Sequence, residues 1–357
     1  MRLIRICAAL SLLLAAPVAA QAPKAKPSPD CGDDRGVDRC AAEQQRRVRE
    51  LFGVKSIEEH QAAGDQVRRA FYVDGYGRDI VAIAFVRATG RDPTLRVHFP
   101  RKEGAAAPET MQAPVPKRTW EEVLSGSRLF DRTLLPPAGG EPFICLHSWV
   151  YTIEATDPRP AGSHAPAAQP RRKTADACRG DLVQDYATAL AQAALRLAPH
   201  CAALDPRQHR NEATQLAACT MLEGDRLAAA GALNRAHLLV AVNSPADAGR
   251  AQGVFDYRGF VEWDGERLGG EADRAMAAWL ERTTKPTYAR LSIRRVVGET
   301  ADRARVEGTL NRREGEGSSE RTMSAPVTLH MASQPGATDY FTVARAVVGP
   351  FKELRLR

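Results

Sequence analysis

The stretch that decides the fold of the C-terminal half is ARLSIRRVVGETADRARVEGTLNRREGEGSSERTMSAPVTLHMASQPGATDYFTVARAVV, residues 289–348. Apolar and polar side chains alternate along it, which is the period of a half-buried β-strand. Glycines stand where turns between such strands are expected, at Gly298, Gly315/Gly317 and Gly336. The pattern predicts four antiparallel strands, at about 289–298, 302–313, 320–332 and 339–348.

The same alternation predicts one apolar and one polar face for this meander. The apolar face carries Leu291, Ile293, Val306, Leu310, Val327, Leu329, Phe341 and Val343. The polar face carries Arg290, Arg294, Arg303, Arg305, Glu307, Thr328, His330 and Thr342. Apolar residues at helical spacing over 272–280 predict a helix that covers the apolar face.

Helices followed by a curved antiparallel meander make residues 205–350 resemble the NTF2-like cone in the order of their elements. A cystatin-like layout, with a helix on a sheet, fits the same order equally well. Such a resemblance implies a fold and transfers no function.

The rest of the chain predicts a second α+β region, at 31–154, with N-terminal helices and a small antiparallel sheet. In it, Ser56-Ile57-Glu58-Glu59 is a capping box, and Asp74-Gly75-Tyr76-Gly77 is a hairpin turn rather than a nucleotide-binding loop. The Ala/Pro/Arg-rich segment 155–177 lacks apolar periodicity and predicts a mobile loop. A helical middle segment then opens a C-terminal α+β domain at 178–357. The predicted fold class is therefore α+β.

The first twenty residues have the pattern of a secretory signal peptide. Arg2 and Arg5 precede an apolar run at 6–16, and small residues at 18–20 precede the expected cleavage site. Residues 21–30 are Pro-, Lys- and Ala-rich, which predicts disorder. We expect a periplasmic or secreted protein with no transmembrane segment in the mature chain.

Cleavage at that site leaves an even set of cysteines: Cys31, Cys40, Cys145, Cys178, Cys201 and Cys219. An even number of cysteines in an exported chain favours disulfides over metal binding. Six cysteines allow 15 connectivities. Pairing in sequence order is our prediction: Cys31–Cys40, Cys145–Cys178 and Cys201–Cys219.

The chain of 357 residues has 50 basic and 43 acidic residues, for a formal net charge of +7. Its 44% of hydrophobic residues exclude wholesale disorder. A basic exported protein is compatible with an anionic envelope component or a protein partner. Export, together with the absence of interleaved basic and aromatic residues, argues against nucleic acid.

No motif for catalysis, a cofactor or a metal occurs: neither H-E-x-x-H, nor a phosphate-binding loop, nor G-x-S-x-G is present. We therefore predict no cofactor and no metal site, and leave catalytic residues unassigned. His147, on a strand face with Cys145 and Trp149, is expected to pack on aromatic side chains.

The leading hypothesis is a non-enzymatic binding or envelope-interaction protein. Its binding residues would be Arg290, Arg294, Arg305 and His330 on the polar sheet face. A solvated face with cross-strand charge pairs is the simpler interpretation of the same residues. The alternative function is a small-molecule hydrolase or isomerase whose pocket lies between the C-terminal sheet and its helices. Its nearest titratable candidates are Asp264, Tyr288 and His237.

Overall fold

The computed structural model describes residues 39–101, 107–131, 148–157, 169–176, 182–240, 251, 253–284, 289–314, 321–333 and 340–354. Several predictions lie outside these residues or their described side chains. They are the signal peptide, the segment 21–30, the pairs Cys31–Cys40 and Cys145–Cys178, His147 and Tyr288.

The N-terminal part combines three helices with a six-stranded sheet. In chain order its elements are α1 (Arg39–Phe52), α2 (Ile57–Ala62), β1 (Gln66–Val73), β2 (Asp79–Arg87), β3 (Thr94–His98), β4 (Thr110–Pro114), α3 (Lys117–Gly126), β5 (Val150–Thr156) and β6 (Arg171–Asp176). The strand order is β4-β3-β2-β1-β5-β6, and every neighbouring pair is antiparallel.

Local sequence signals explain how these elements begin and turn. The capping box before α2 is confirmed: the Glu59 amide donates to Ser56 Oγ at 3.0 Å, and the Ser56 amide donates to the Glu59 carboxylate at 2.6 Å. The turn between β1 and β2 is also confirmed. There, Asp74 Oδ1 accepts from the amides of Tyr76 and Arg78 at 3.0 and 2.9 Å.

The predicted mobile loop at 155–177 is wrong over part of its length. Residues 171–176 form β6, which pairs with β5 at the edge of the first sheet. The strand escaped prediction because its first three side chains are all basic, so it shows no apolar alternation. Those charges have partners: Arg172 Nε donates to Glu154 at 2.6 Å, and Lys173 Nζ donates to the Leu129 carbonyl at 2.8 Å.

The helical middle segment continues the chain with α4 (Leu182–Arg196), α5 (Pro199–Ala202) and α6 (Glu212–Ala218). Helices α4 and α6 pack on strands of the first sheet, although the sequence assigned this segment to the C-terminal domain. The Tyr72 hydroxyl on β1 donates to the Ala187 carbonyl on α4 at 2.5 Å. A single cluster of buried apolar residues extends from this layer into the second sheet.

The second sheet has eight strands. Its part of the chain contains β7 (Leu222–Gly224), α7 (Arg226–Val240), β8 (Phe255–Trp263), β9 (Glu266–Gly269), α8 (Ala272–Thr284), β10 (Arg290–Thr300), β11 (Arg303–Glu314), β12 (Arg321–Ser333), β13 (Phe341–Val348) and β14 (Lys352–Glu353). The order is β7-β10-β11-β12-β13-β8-β9, with β14 beside β12. The predicted four-stranded antiparallel meander is β10–β13, so the α+β prediction is confirmed.

Helices α7 and α8 cover one face of the second sheet, as the stripe over 272–280 predicted for α8. The side chains on that face are buried, and Trp279 of α8 is only 1% exposed. Gly298 lies inside β10 instead of marking a turn. Its carbonyl accepts from the Asp225 amide at 2.9 Å, and a Cβ on Gly298 would stand 1.9 Å from the Asp225 oxygen.

Three β-bulges interrupt the alternation of the meander, and one of them makes Glu299 the extra residue between Gly298 and Thr300 of β10. In β10 the register passes from Ile293 to Arg295, and Arg294 is the extra residue. In β13 it passes from Val343 to Arg345, and Ala344 is the extra residue. A bulge of one residue exchanges the faces of all side chains that follow it on the strand. No helix among the described residues is long and apolar enough to cross a membrane.

Candidate binding face on the C-terminal sheet

Three basic side chains stand directly opposite one another on adjacent central strands of the second sheet. Arg305 of β11 pairs with His330 of β12, and His330 pairs with Arg345 of β13. We call these three residues the arginine row. Adjacent strands lie about 4.8 Å apart, so the row spans about 10 Å across the sheet.

The row points away from the apolar core because of the strand pattern around each member. Ala304 and Val306 flank Arg305, and both are buried; Leu329 and Met331 flank His330 in the same way. Successive side chains of a strand point to opposite faces, so the three polar members of the row lie on the uncovered face. His330 is half-buried between the two arginines.

The surroundings of His330 disfavour its cationic form. Burial lowers the pKa of His330, and the nearby guanidinium of Arg345 and that of Arg305 lower it further, while Glu299 opposes them.

Carboxylates compensate part of this charge. Arg305 contacts Glu307 at 2.6 Å and Glu299 at 3.3 Å, and Arg345 contacts Glu262 at 2.7 Å. The contacts of Glu299 and Glu262 join neighbouring strands and support the cross-strand interpretation of the polar face, whereas Glu307 lies on the same strand as Arg305. All these contacts also hold the guanidinium groups in place. The buried Nε of Arg345 has no hydrogen-bond partner in the described part of the chain.

Three other arginines of this sheet are less closely compensated, although the charge of Arg303 interacts with that of Asp302. No described carboxylate lies within 4.0 Å of the guanidinium groups of Arg290, Arg294 or Arg303, and all three residues are exposed. The outer face and its edges thus retain an excess of positive charge around the central ion pairs.

The structure brings together two of the four predicted binding residues. Arg305 and His330 are direct cross-strand neighbours. Arg290 pairs with Asn311, six residues along β11 from Arg305, which corresponds to about 20 Å. Arg294 is the extra residue of the β10 bulge and does not follow the face alternation on which its prediction rested. A single site made of all four residues is therefore not formed.

Arg345 is the member that sequence reasoning missed. Strict alternation from Phe341 and Val343 places residue 345 on the apolar face. The bulge at Ala344 moves it to the polar face, opposite His330. A charged residue in phase with the apolar positions of a strand is the one sequence signal that could have indicated this bulge.

An aromatic residue borders the row at its far end. Arg345 pairs with Phe260 of β8, and the guanidinium of Arg267 lies 3.9 Å from the centroid of the Phe260 ring. This distance is short enough for a cation–π interaction. The polar face therefore continues from β11 to β9 as a surface of guanidinium groups.

The residues of the alternative enzyme hypothesis are not gathered in one described pocket. Asp264 lines a cavity of about 340 Å³ with Trp263, Arg282 and Arg312. His237, which lies on α7, is not among the residues of that cavity. Its ring lies beside the ring of His209. The positive φ of Asp264, 49°, belongs to the two-residue turn that it forms with Gly265 between β8 and β9.

The predicted disulfide between Cys201 and Cys219 is confirmed. The two cysteines are also the sulfur members of a group with His200 whose donor atoms lie within 4.8 Å of one another. Thiolates are the form of cysteine that binds metals, so the disulfide removes this group as a metal site.

No protein-family model matches this chain, and no curated protein matches it. Solved structures do resemble about a third of it. An NTF2-like protein of unknown function from Shewanella oneidensis is 11% identical, with 34% of this chain and 97% of that chain covered and a TM-score of 0.27. A ketosteroid isomerase-like protein from Erwinia carotovora atroseptica is 16% identical, with 36% of this chain and 97% of that chain covered and a TM-score of 0.28.

A hexachlorocyclohexane dehydrochlorinase is 15% identical, with 37% of this chain and 92% of that chain covered and a TM-score of 0.29. NTF2-like is one of the two layouts that the order of the elements predicted for residues 205–350. At such scores the similarities carry no argument about ligands or chemistry, which must come from the residues themselves.

Proposed function

We propose that this chain is an exported binding protein, periplasmic or secreted, that contacts an anionic partner with the outer face of its C-terminal sheet. The observation that carries the proposal is the arginine row, in which two guanidinium groups flank a histidine on adjacent strands. Guanidinium groups offer planar, paired donors that match carboxylate, phosphate and sulfate oxygens.

The shape of the face favours an extended partner over a small molecule. The row and the less closely compensated arginines lie on an open sheet surface, whereas small-molecule sites are concave and bury most of the ligand. The positive groups are also spread, with Arg290 about 20 Å from the row. Repeated negative charges on a polymer or a protein surface fit this spacing. Nucleic acid is not the expected partner, because the signal-like N-terminus directs the chain out of the cytoplasm.

Export also agrees with the disulfide between Cys201 and Cys219, since disulfides persist in oxidising compartments. An anionic envelope component or an acidic protein partner would be accessible there. The carboxylates Glu262, Glu299 and Glu307 would remain paired with the row and fix its geometry while the outer donors contact the partner.

Binding to a soluble polyanion tests this proposal. The probe is heparin, and its affinity for the protein is measured by isothermal titration calorimetry at two ionic strengths. The variant Arg303→Gln/Arg305→Gln/Arg345→Gln should weaken binding at least tenfold. Lower affinity at higher salt is expected for both proteins, with a smaller salt dependence for the variant.

A control variant separates a site from the effect of net charge. Arg118→Gln/Arg196→Gln/Arg207→Gln removes the same number of charges from exposed arginines outside the second sheet. It should bind heparin within about twofold of the unmodified protein, since charges beyond a Debye length of about 8–10 Å are screened. Equal losses in the two variants, or no loss in either, would rule out the arginine row as the site.

A further inference from the structure

Two histidines far from the arginine row meet at the surface of α7. His209 follows a 3₁₀ turn at Pro206–Gln208, and His237 lies in the last turns of α7. Their ring centroids are 5.9 Å apart, with an angle of 64° between the ring planes. The Nε2 atom of each ring is buried and has no hydrogen-bond partner within the described ranges.

A third orphaned acceptor belongs to the same turn. The Oε1 atom of Gln208 is buried and unpartnered, while the Nε2 atom of the same amide donates to the Asn234 carbonyl at 2.9 Å. Asn234 precedes His237 by three residues and therefore shares its side of the helix. Buried acceptors without partners are rare in folded proteins, and a group of them needs a physical explanation.

The segment that carries His209 is held rigidly against α7. The Asn234 side chain accepts from the Asp205 amide at 2.8 Å and donates to the Ala203 carbonyl at 2.8 Å. Gln215 donates to the carbonyls of Cys201 and Leu204, both at 3.0 Å, and the nearby disulfide joins Cys201 to Cys219. The two imidazoles therefore do not meet by the chance position of a free loop.

We propose that His209 and His237 bind a divalent transition-metal ion through their Nε2 atoms, with Gln208 Oε1 as an additional ligand. Two imidazoles that bind one ion at about 2.0–2.1 Å have ring centroids about 5–6 Å apart, which the observed separation matches. Imidazole nitrogen suits Zn²⁺, Cu²⁺ and Ni²⁺ and discriminates against Mg²⁺ and Ca²⁺.

Burial lowers the pKa of His237 to about 4, with a further contribution from His209, and burial also lowers the pKa of His209. The common cause of both shifts is the burial of the rings, in agreement with their buried Nε2 atoms.

Zn²⁺ alone is the probe for the first experiment, which uses isothermal titration calorimetry of the whole purified protein freed of metal. One Zn²⁺ should bind per chain, whereas Mg²⁺ should not bind. His209→Asn and His237→Asn should each weaken Zn²⁺ binding at least tenfold. His200→Asn is the matched control, since His200 lies near the disulfide in the alternative three-residue group, and it should leave the affinity unchanged.

Binding of no Zn²⁺ by the unmodified protein would overturn the proposal. So would a Zn²⁺ affinity of His209→Asn or His237→Asn equal to that of the unmodified protein, or a loss of affinity in His200→Asn. A second measurement does not depend on the variants being folded. Electron paramagnetic resonance of the unmodified protein with one equivalent of Cu²⁺ should show superhyperfine coupling to two imidazole nitrogens. A spectrum without imidazole coupling would equally contradict the proposal.

Discussion

Replacement of Glu154 by glutamine should destabilise the protein far more than replacement of an exposed glutamate. Glu154 is fully buried, and its carboxylate accepts from the Arg69 Nε at 2.8 Å and from the Arg172 Nε at 2.6 Å. Arg69 Nη2 donates to the same carboxylate, and Arg49 lies 3.8 Å away. Glu154→Gln keeps the size of the side chain and removes the only described carboxylate in contact with the Arg69 guanidinium.

The expected magnitude follows from what remains in the interior. Arg69 is 1% exposed, and burial already lowers its pKa because the cation has lost its water. Removing one partner of a buried ion pair typically costs about 3–5 kcal/mol, because the other charge stays buried and uncompensated. At about 2–3 °C per kcal/mol for a chain of this size, the Tm should fall by about 6–15 °C.

The assay is thermal and urea-induced unfolding followed by circular dichroism, with Glu122→Gln as the control. Glu122 is half exposed and pairs with Arg118 at 3.3 Å and Arg196 at 3.2 Å, so its loss should cost at most about 1 kcal/mol. The double variant Arg69→Met/Glu154→Leu should be more stable than Glu154→Gln, since no unpaired charge remains between its two sites. The reasoning is refuted if Glu154→Gln lowers the free energy of unfolding no more than the control Glu122→Gln does.

Three further predictions concern packing, the disulfide and pH. Trp279→Ala should lower the free energy of unfolding of the C-terminal half by about 3–5 kcal/mol, because it leaves a cavity beneath the sheet. Urea unfolding measures this loss, and a loss below about 1 kcal/mol would contradict the burial of Trp279. Cys201→Ser/Cys219→Ser should lower stability by about 3 kcal/mol, because the bridge joins residues 18 apart; unchanged unfolding under non-reducing conditions would contradict this. Burial lowers the pKa of His98 to about 4 from 6.5, so the unfolded chain binds protons more tightly and stability should fall as the pH drops from 6.5 towards 4. His98→Gln should reduce that slope by up to about 1.4 kcal/mol per pH unit, and an unchanged slope between pH 6.5 and 4 would show that His98 is not its source.

The two groups of arginines differ in what surrounds them, and this difference separates structure from proposed function. Arg69 is enclosed by Glu154, the Lys55 carbonyl at 2.7 Å and the Phe71 ring. The arginine row has carboxylates on its flanks but an open outer side. Loss of the Arg69 ion pair should lower the stability of the protein, whereas loss of the arginine row should weaken binding.

Much of the candidate face could be predicted because alternation along a strand is a local property. The residues on the faces of β11 and β12 follow strictly from the period of two, and Arg305 and His330 were assigned to one face on that basis. The prediction failed beyond the bulges. At Arg294 and Ala344 the chain inserts one residue, and the positions of Arg294 and Arg345 relative to the sheet depend on that insertion.

The sequence by itself determined the elements whose signals are local. They include the four strands of the meander, the capping box before α2, and the Asp74 turn. It also indicated the pairing of Cys201 with Cys219, which are close along the chain. Each of these depends on residues a few positions apart or on a simple periodicity, so the information is present in a short window.

Only the tertiary structure decided where charged side chains find their partners. Strand β6 exists because Arg171, Arg172 and Lys173 meet groups from distant parts of the chain, and no apolar pattern announces it. The pairing of Arg345 with His330 and the meeting of His209 with His237 likewise depend on register and on helix packing. Such contacts join residues that are remote in sequence, and their energies arise from geometry that no local pattern contains.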